Sequence, residues 1–169
     1  MNPSKVRKVF LNELGNNLFI FGAGNGVTNN NWALGLDVMA HEITHGVINS
    51  TSRLVYRYES GALNESFADF FGAMTDSDDW LIGEDIYIQE GKFLRSMSNP
   101  QDQNADPPQP AHMSQFNSAR GVHSNSGIFN RALYLLAEGL TAEGLGSSVG
   151  RRKAADIAFK TCLLYTSDA

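Results

Sequence analysis

His41 and His45 stand four residues apart, with Glu42 directly after the first. On an α-helix, positions i and i+4 lie one above the other, so both imidazoles can reach a single metal ion. Glu42 is turned about 100° round the helix from His41. It flanks such an ion and can reach a water bound to it. The chemistry this suggests is hydrolysis by an acidified water, with a carboxylate to take its proton. Taken alone, the same residues are also compatible with the solvated face of an ordinary helix.

A third protein ligand decides between the two readings. A third histidine at position 51 is excluded, because that residue is Thr51 and position 48 is Ile48. The stretch "GALNESFADFFG" instead offers Glu65, with nineteen residues between it and His45, and Asp69 one turn later. Two histidines and one glutamate leave the fourth position of a tetrahedral zinc free for water. Asp69 and Asn64 then have a supporting task, holding the outer ring N–H groups of the two histidines. Glu65 alone is more often a surface carboxylate; joined to the histidine pair, it is expected to be the third zinc ligand.

Two helices must position these groups. Leu36, Ala40, Ile43 and Val47 form an apolar stripe and predict a helix over residues 37–49, with Asp37 in its first turn and "NSTS" ending it. Leu63, Phe67, Phe70, Phe71 and Met74 predict a second helix from about 60 to 75. Its other side carries Glu65, Asp69 and Asp76 beside the small residues Ala62, Gly72 and Ala73, which would let another helix approach closely. "LFIF" suggests one short strand before a Gly/Asn-rich loop. Residues 76–119 read mostly as loop, long enough to require a function or an ion. Further helices are expected over 127–138, with Ile128, Ala132, Leu135 and Leu136 on one face, and over 151–163.

Composition bounds the rest. The 169 residues support one domain or slightly more, and 42% hydrophobic with 18% charged residues reads as globular. A net charge of -5 argues against nucleic acid as a partner. No apolar run approaches the ~20 residues of a membrane helix, and the first fifteen residues show no secretory signal. A single cysteine, Cys162, excludes an internal disulfide and a multi-cysteine zinc knuckle.

The blocks "DVMAHEITHG", "YESGALNESFADFFG", "LRSMSNP" and "GVHSNSGIFNRALYLLA" occur in this order. Together they resemble the thermolysin-like zinc metallopeptidase family across roughly residues 18–160. The resemblance implies a mainly α fold, the helical lobe of such an enzyme, with a small β and loop remnant at the amino end. It divides the chain into the end of a catalytic domain (1–50), a helical domain (51–162) and an uncertain tail (163–169). It implies a zinc-dependent metalloendopeptidase acting on peptides and proteins, secreted, with His41, His45 and Glu65 binding zinc and Glu42 as general base. By the same resemblance Tyr56 and His123 donate hydrogen bonds to the oxyanion, and Arg95 holds a substrate carbonyl and braces the site. Asp37, Asp76, Asp79 and Glu84 match calcium-binding carboxylates, and hard oxygen ligands around one loop suit Ca²⁺. In isolation Tyr56 is more often a half-buried core aromatic and Arg95 a surface cation. Val38 and Leu94 suit either an apolar substrate pocket or simple core packing.

Three departures from the family pattern set further expectations. The family pairs its catalytic histidine with an upstream aspartate, yet "MSQFNSARGV" between Met113 and Val122 holds no carboxylate. His123 is therefore expected to be a weaker or pH-shifted donor. The family's substrate-binding asparagine has no counterpart in "RKVFLNELG", although Phe10 matches an aromatic of that block. The strand-rich amino-terminal lobe is expected to be missing, and the closing "LLYTSDA" to be run-on sequence. Two rivals remain in view. A related aminopeptidase has eighteen residues between the second histidine and the glutamate and carries a Gly-rich motif, which is absent here. A zinc-binding but catalytically inactive domain is the other.

Overall fold

The computed structural model describes residues 7–9, 19–139 and 146–164. Phe10, Leu18 and the last five residues lie outside them. The fold is mainly α, as expected. Its elements run β1 (Arg7–Val9), β2 (Phe19–Phe21), a 3₁₀ turn (Trp32–Leu34), α1 (Leu36–Ser50), α2 (Tyr58–Thr75), β3 (Leu81–Ile82), β4 (Arg95–Ser96), a second 3₁₀ turn (Met113–Gln115), α3 (Val122–Glu138) and α4 (Arg151–Leu164). The helix α2 packs against both α1 and α3, and α4 closes over α2 and α3. β1 pairs antiparallel with β2, and β3 with β4.

The phenylalanines of α2 build the main core. Phe67 and Phe70 are fully buried, and with Ile48, Leu54, Trp80, Ile82 and Met97 they meet Ala154, Ala158 and Cys162 from α4. Each such phenylalanine contributes about 1.5–3 kcal/mol by leaving water. Leu63, Phe71 and Met74 pack partly buried at its edge, as their stripe predicts. A second, smaller cluster joins Phe21, Val38 and Ile86 with Trp32, Met39, Ile43 and Leu94.

The buried face of α1 is not the one its apolar period predicts. Leu36 is exposed, and the buried residues are Asp37, Val38, His41, Gly46 and Ile48. Apolar periodicity fails here because the inward face carries the polar site. Ser50 and Thr51 end the helix by turning their hydroxyls back onto the Gly46 and Val47 carbonyls, at 2.7 Å each.

Two other differences have physical causes. α3 starts at Val122, five residues before the expected 127, because its polar first turn is satisfied from outside. The buried Asn125 donates to the carbonyls of Asn117 (2.9 Å) and Arg120 (3.3 Å), tying the preceding loop to the helix. Ala132 is exposed, whereas Ile128 is buried as expected, and Leu133, Tyr134, Leu136 and Ala137 join the main core. The 76–119 stretch is less structureless than expected, since it contains the β3–β4 pair with Ile82 opposite Arg95.

The small residues of α2 do permit a close approach. A Cβ at Gly72 would lie 2.8 Å from the backbone oxygen of Asp37. Gly72→Ala gains about 1 kcal/mol of helix propensity but forces a contact with rigid backbone costing about 1–3 kcal/mol. Urea denaturation is expected to show a net loss of stability of the order of 1 kcal/mol; a more stable variant would contradict the close α1–α2 contact.

Candidate metal centre

α1 and α2 bring His41, His45 and Glu65 together, so that one ligating atom of each lies within 4.8 Å of the others. The two Nε2 atoms are 3.0 Å apart. His41 Nε2 is 3.4 Å from Glu65 Oε2, and His45 Nε2 is 3.4 Å from Glu65 Oε1. A tetrahedral zinc with bonds of about 2.0–2.1 Å separates its donors by roughly 3.3 Å, so these spacings fit one ion.

The outer ring nitrogens determine which atoms face inward. His45 Nδ1 lies 2.8 Å from Asn64 Oδ1, and the Asn64 amide nitrogen donates to the Leu54 carbonyl at 3.3 Å. That second bond turns the amide oxygen toward His45, so Nδ1 carries the proton. His41 Nδ1 lies 2.8 Å from the carboxylate of Asp69, which can only accept. Both Nε2 lone pairs therefore face each other and a buried carboxylate, whose Oε2 has no hydrogen-bond partner. Such a set repels itself unless a cation or a proton sits inside. Burial works against charging His41, but Asp69 and Glu65 outweigh it and raise its pKa to about 9. Burial and the charge on His41 push His45 down. Burial also opposes ionising Glu65, yet the histidines hold its pKa at about 2. A metal ion competes with that proton for the same nitrogen.

Asp69 is fully buried and holds three elements besides its own. It accepts from Arg95 Nε at 2.7 Å and Nη2 at 2.6 Å, and from Asn130 Nδ2 at 2.8 Å. Burial would raise its pKa, but the Arg95 guanidinium and His41 hold it well below the usual carboxylate range. Arg95 is thus an internal cation that faces the site and braces it.

Most of the remaining predicted groups of this site gather round a cavity of about 450 Å³ beside His41. Glu42 lines it with His41, Arg95 and His123, and Val38 and Leu94 form part of its apolar wall. Those two residues therefore serve both the small core cluster and the cavity. Tyr56 donates through its hydroxyl to Glu65 Oε1, and the same hydroxyl lies 3.3 Å from His123 Nε2. Among the described residues, the only carboxylate within ion-pair distance of His123 is Glu65, at 3.4 Å from Nε2. Trp32, Asp106 and Gln109 also line the cavity; no motif or periodicity marks them in the sequence.

A second group lies one turn earlier along the same face of α1. Asp37, Asp76 and Glu84 bring carboxylate oxygens within 4.8 Å of one another. Asp37 accepts from the Gly83 N–H, while its Oδ1 and Glu84 Oε2 are buried without partners. Asp79, also expected here, is not one of the three; its Oδ1 accepts from the Leu81 N–H at 2.7 Å.

The profile of the thermolysin metallopeptidase alpha-helical domain matches residues 52–169, and that of the thermolysin metallopeptidase catalytic domain matches residues 13–49. The chain belongs to the thermolysin metallopeptidase family. It is 47% identical to a bacillolysin of Brevibacillus brevis, over 86% of this chain and 28% of the relative. It is 44% identical to an extracellular elastase of Staphylococcus epidermidis, over 86% of this chain and 27% of the relative. Among solved structures, the precursor of protealysin, a metalloproteinase from Serratia proteamaculans, is similar with a TM-score of 0.72 and 37% identity, over 88% of this chain and 51% of that one. The chain thus spans little more than a quarter of the length of these curated relatives. No described helix is long and apolar enough to cross a membrane.

The second carboxylate group carries a pH dependence of its own. Burial is the main cause that raises Glu84 from 4.5 to about 7, helped by Asp37, Asp79 and Asp76. Burial likewise raises Asp37. Groups raised on folding stabilise the protein while protonated, and that stability is lost as pH rises from about 4.5 through about 7. In buffer without divalent cations other than zinc, the melting temperature is expected to fall across this window, and to fall less in Glu84→Gln. Equal slopes in the two proteins would contradict it.

Proposed function

We propose that this chain carries the zinc centre and catalytic groups of a metalloendopeptidase that hydrolyses internal peptide bonds. The observation that carries the reading is the inward-facing set of His41 Nε2, His45 Nε2 and the Glu65 carboxylate, with His41 on the wall of a cavity that Glu42 and His123 also line. A zinc ion in that set supplies a Lewis acid and brings the pKa of the attacking water to about 7. Glu42 accepts the proton of that water and delivers it to the leaving amine nitrogen. The Tyr56 hydroxyl and His123 Nε2 donate to the oxygen that becomes negative as the peptide carbon turns tetrahedral, a role worth about 3–4 kcal/mol per donor in comparable hydrolases. Arg95 holds Asp69, and through it His41, and lies against the cavity where a substrate carbonyl can reach it. Val38, Ile82 and Leu94 form an apolar wall suited to the side chain after the cleaved bond.

The Asp37, Asp76 and Glu84 group is proposed to hold one calcium ion. Two buried carboxylate oxygens without partners and the raised pKa values of all three acids support it. An extracellular setting is proposed as well, supported by the name of the Staphylococcus epidermidis relative.

The zinc-loaded protein is expected to cleave a quenched internal peptide. Glu42→Gln is expected to keep its zinc and lose at least about a hundredfold in rate. Zinc binding with no cleavage beyond that variant would favour a binding-only domain instead. Calcium is expected to raise the melting temperature and to flatten its fall between about pH 4.5 and about pH 7. Asp37→Asn should weaken both effects; calcium that left the wild type unchanged would remove the second site.

A further inference from the structure

We propose that Gln109 is a positioning residue for His123, setting the direction of its imidazole through the backbone of the first turn of α3. The inference rests on the donor role of His123 proposed above.

His123 has little else to orient it. Its side chain is 62% exposed. Its ring meets the Tyr56 hydroxyl at 3.3 Å and Glu65 at 3.4 Å, both on the Nε2 side. No carboxylate of the described residues lies within ion-pair distance of Nδ1. The helix begins one residue earlier, and its N-cap, Gly121, has no side chain to cap it. An imidazole held so loosely points where its backbone points.

That backbone is gripped by Gln109. The side-chain amide donates to the His123 carbonyl and, at 3.0 Å, to Ser126 Oγ. A carbonyl only accepts, so the amide nitrogen must face it. The Ser126 hydroxyl donates to the same carbonyl at 2.9 Å, giving it two side-chain donors. Gln109 is itself held firmly, being 4% exposed, with its backbone N–H bonded to the Pro100 carbonyl at 2.7 Å. Room for it comes from Gly127, where a Cβ would lie 2.6 Å from Gln109 Cβ. The loop and the first turn of α3 thus meet through one amide at the wall of the reaction cavity, which Gln109 lines together with His123.

Such a residue acts on catalysis only through the donor it aims. In the zinc-loaded protein, Gln109→Met keeps the length and removes the donor. It is expected to lower kcat about tenfold with KM within about twofold, a misplacement effect. The loss is expected to vanish when His123→Ala is already present, because no donor is left to misplace. The imidazole NMR signals of His123 are expected to broaden or split in Gln109→Met, while those of His41 and His45 and the zinc content stay as they are. Should Gln109→Met fail to fold, Ser126→Ala removes the other donor to the same carbonyl and gives a milder form of the same result. Equal losses with and without His123, a change in KM alone, or an unchanged His123 ring signal would each overturn the proposal. If His123→Ala itself leaves cleavage unaltered, the donor role of His123 fails, and the ring signal still decides what Gln109 does.

Discussion

A single buried carboxylate, Asp69, organises the centre of this molecule. It sits on α2 with no exposure to water and takes bonds or ion-pair contacts from His41 on α1, Arg95 on β4 and Asn130 on α3. A charge removed from water costs several kcal/mol unless it is well paired. Here one guanidinium meets it with two parallel bonds, and an amide and an imidazole take the remaining acceptor directions. The cost of burying the charge is therefore offset only in one arrangement of four elements. That arrangement also turns His41 Nε2 inward.

Around this anchor the packing follows from size. α2 presents phenylalanines to the core and small residues to α1, so the helix that carries the histidines lies against the one that carries Glu65. The same close contact places Asp37, four residues before His41, next to the acidic loop that follows α2. One pair of helices thus positions two groups of candidate ligands, one turn apart along the buried face of α1. The zinc-type set has nitrogen and oxygen donors, and the other only oxygens, which is the chemical distinction between a borderline and a hard cation.

The parts of this that were legible in the sequence are those in which local spacing carries three-dimensional meaning. His41 and His45 at i and i+4 share a helix face whatever the helix packs on, and Asn64, Glu65 and Asp69 follow from the same rule one helix later. The apolar stripe of α1 misled for a related reason. Periodicity assumes that the buried face is the greasy one, and in α1 the buried face holds Asp37 and His41. The early start of α3 escaped because "VHSNS" has no apolar period. Its order comes from Asn125 and Gln109, which lie on and outside the helix and satisfy its polar turn.

By itself the sequence determined the helical class, the grouping of His41, His45 and Glu65 as a candidate metal site and the residues beside the two histidines, because each depends on spacing within or between two helices. Only the tertiary structure decided that Arg95 is an internal brace for Asp69, that Tyr56 and His123 converge on Glu65, and that Asp79 stands apart from the three acids beside it. Only it placed Gln109 against the backbone of His123. These relations join segments far apart in the chain across loops without regular spacing. Their geometry is set by where buried charges and polar groups find partners, which no local pattern records.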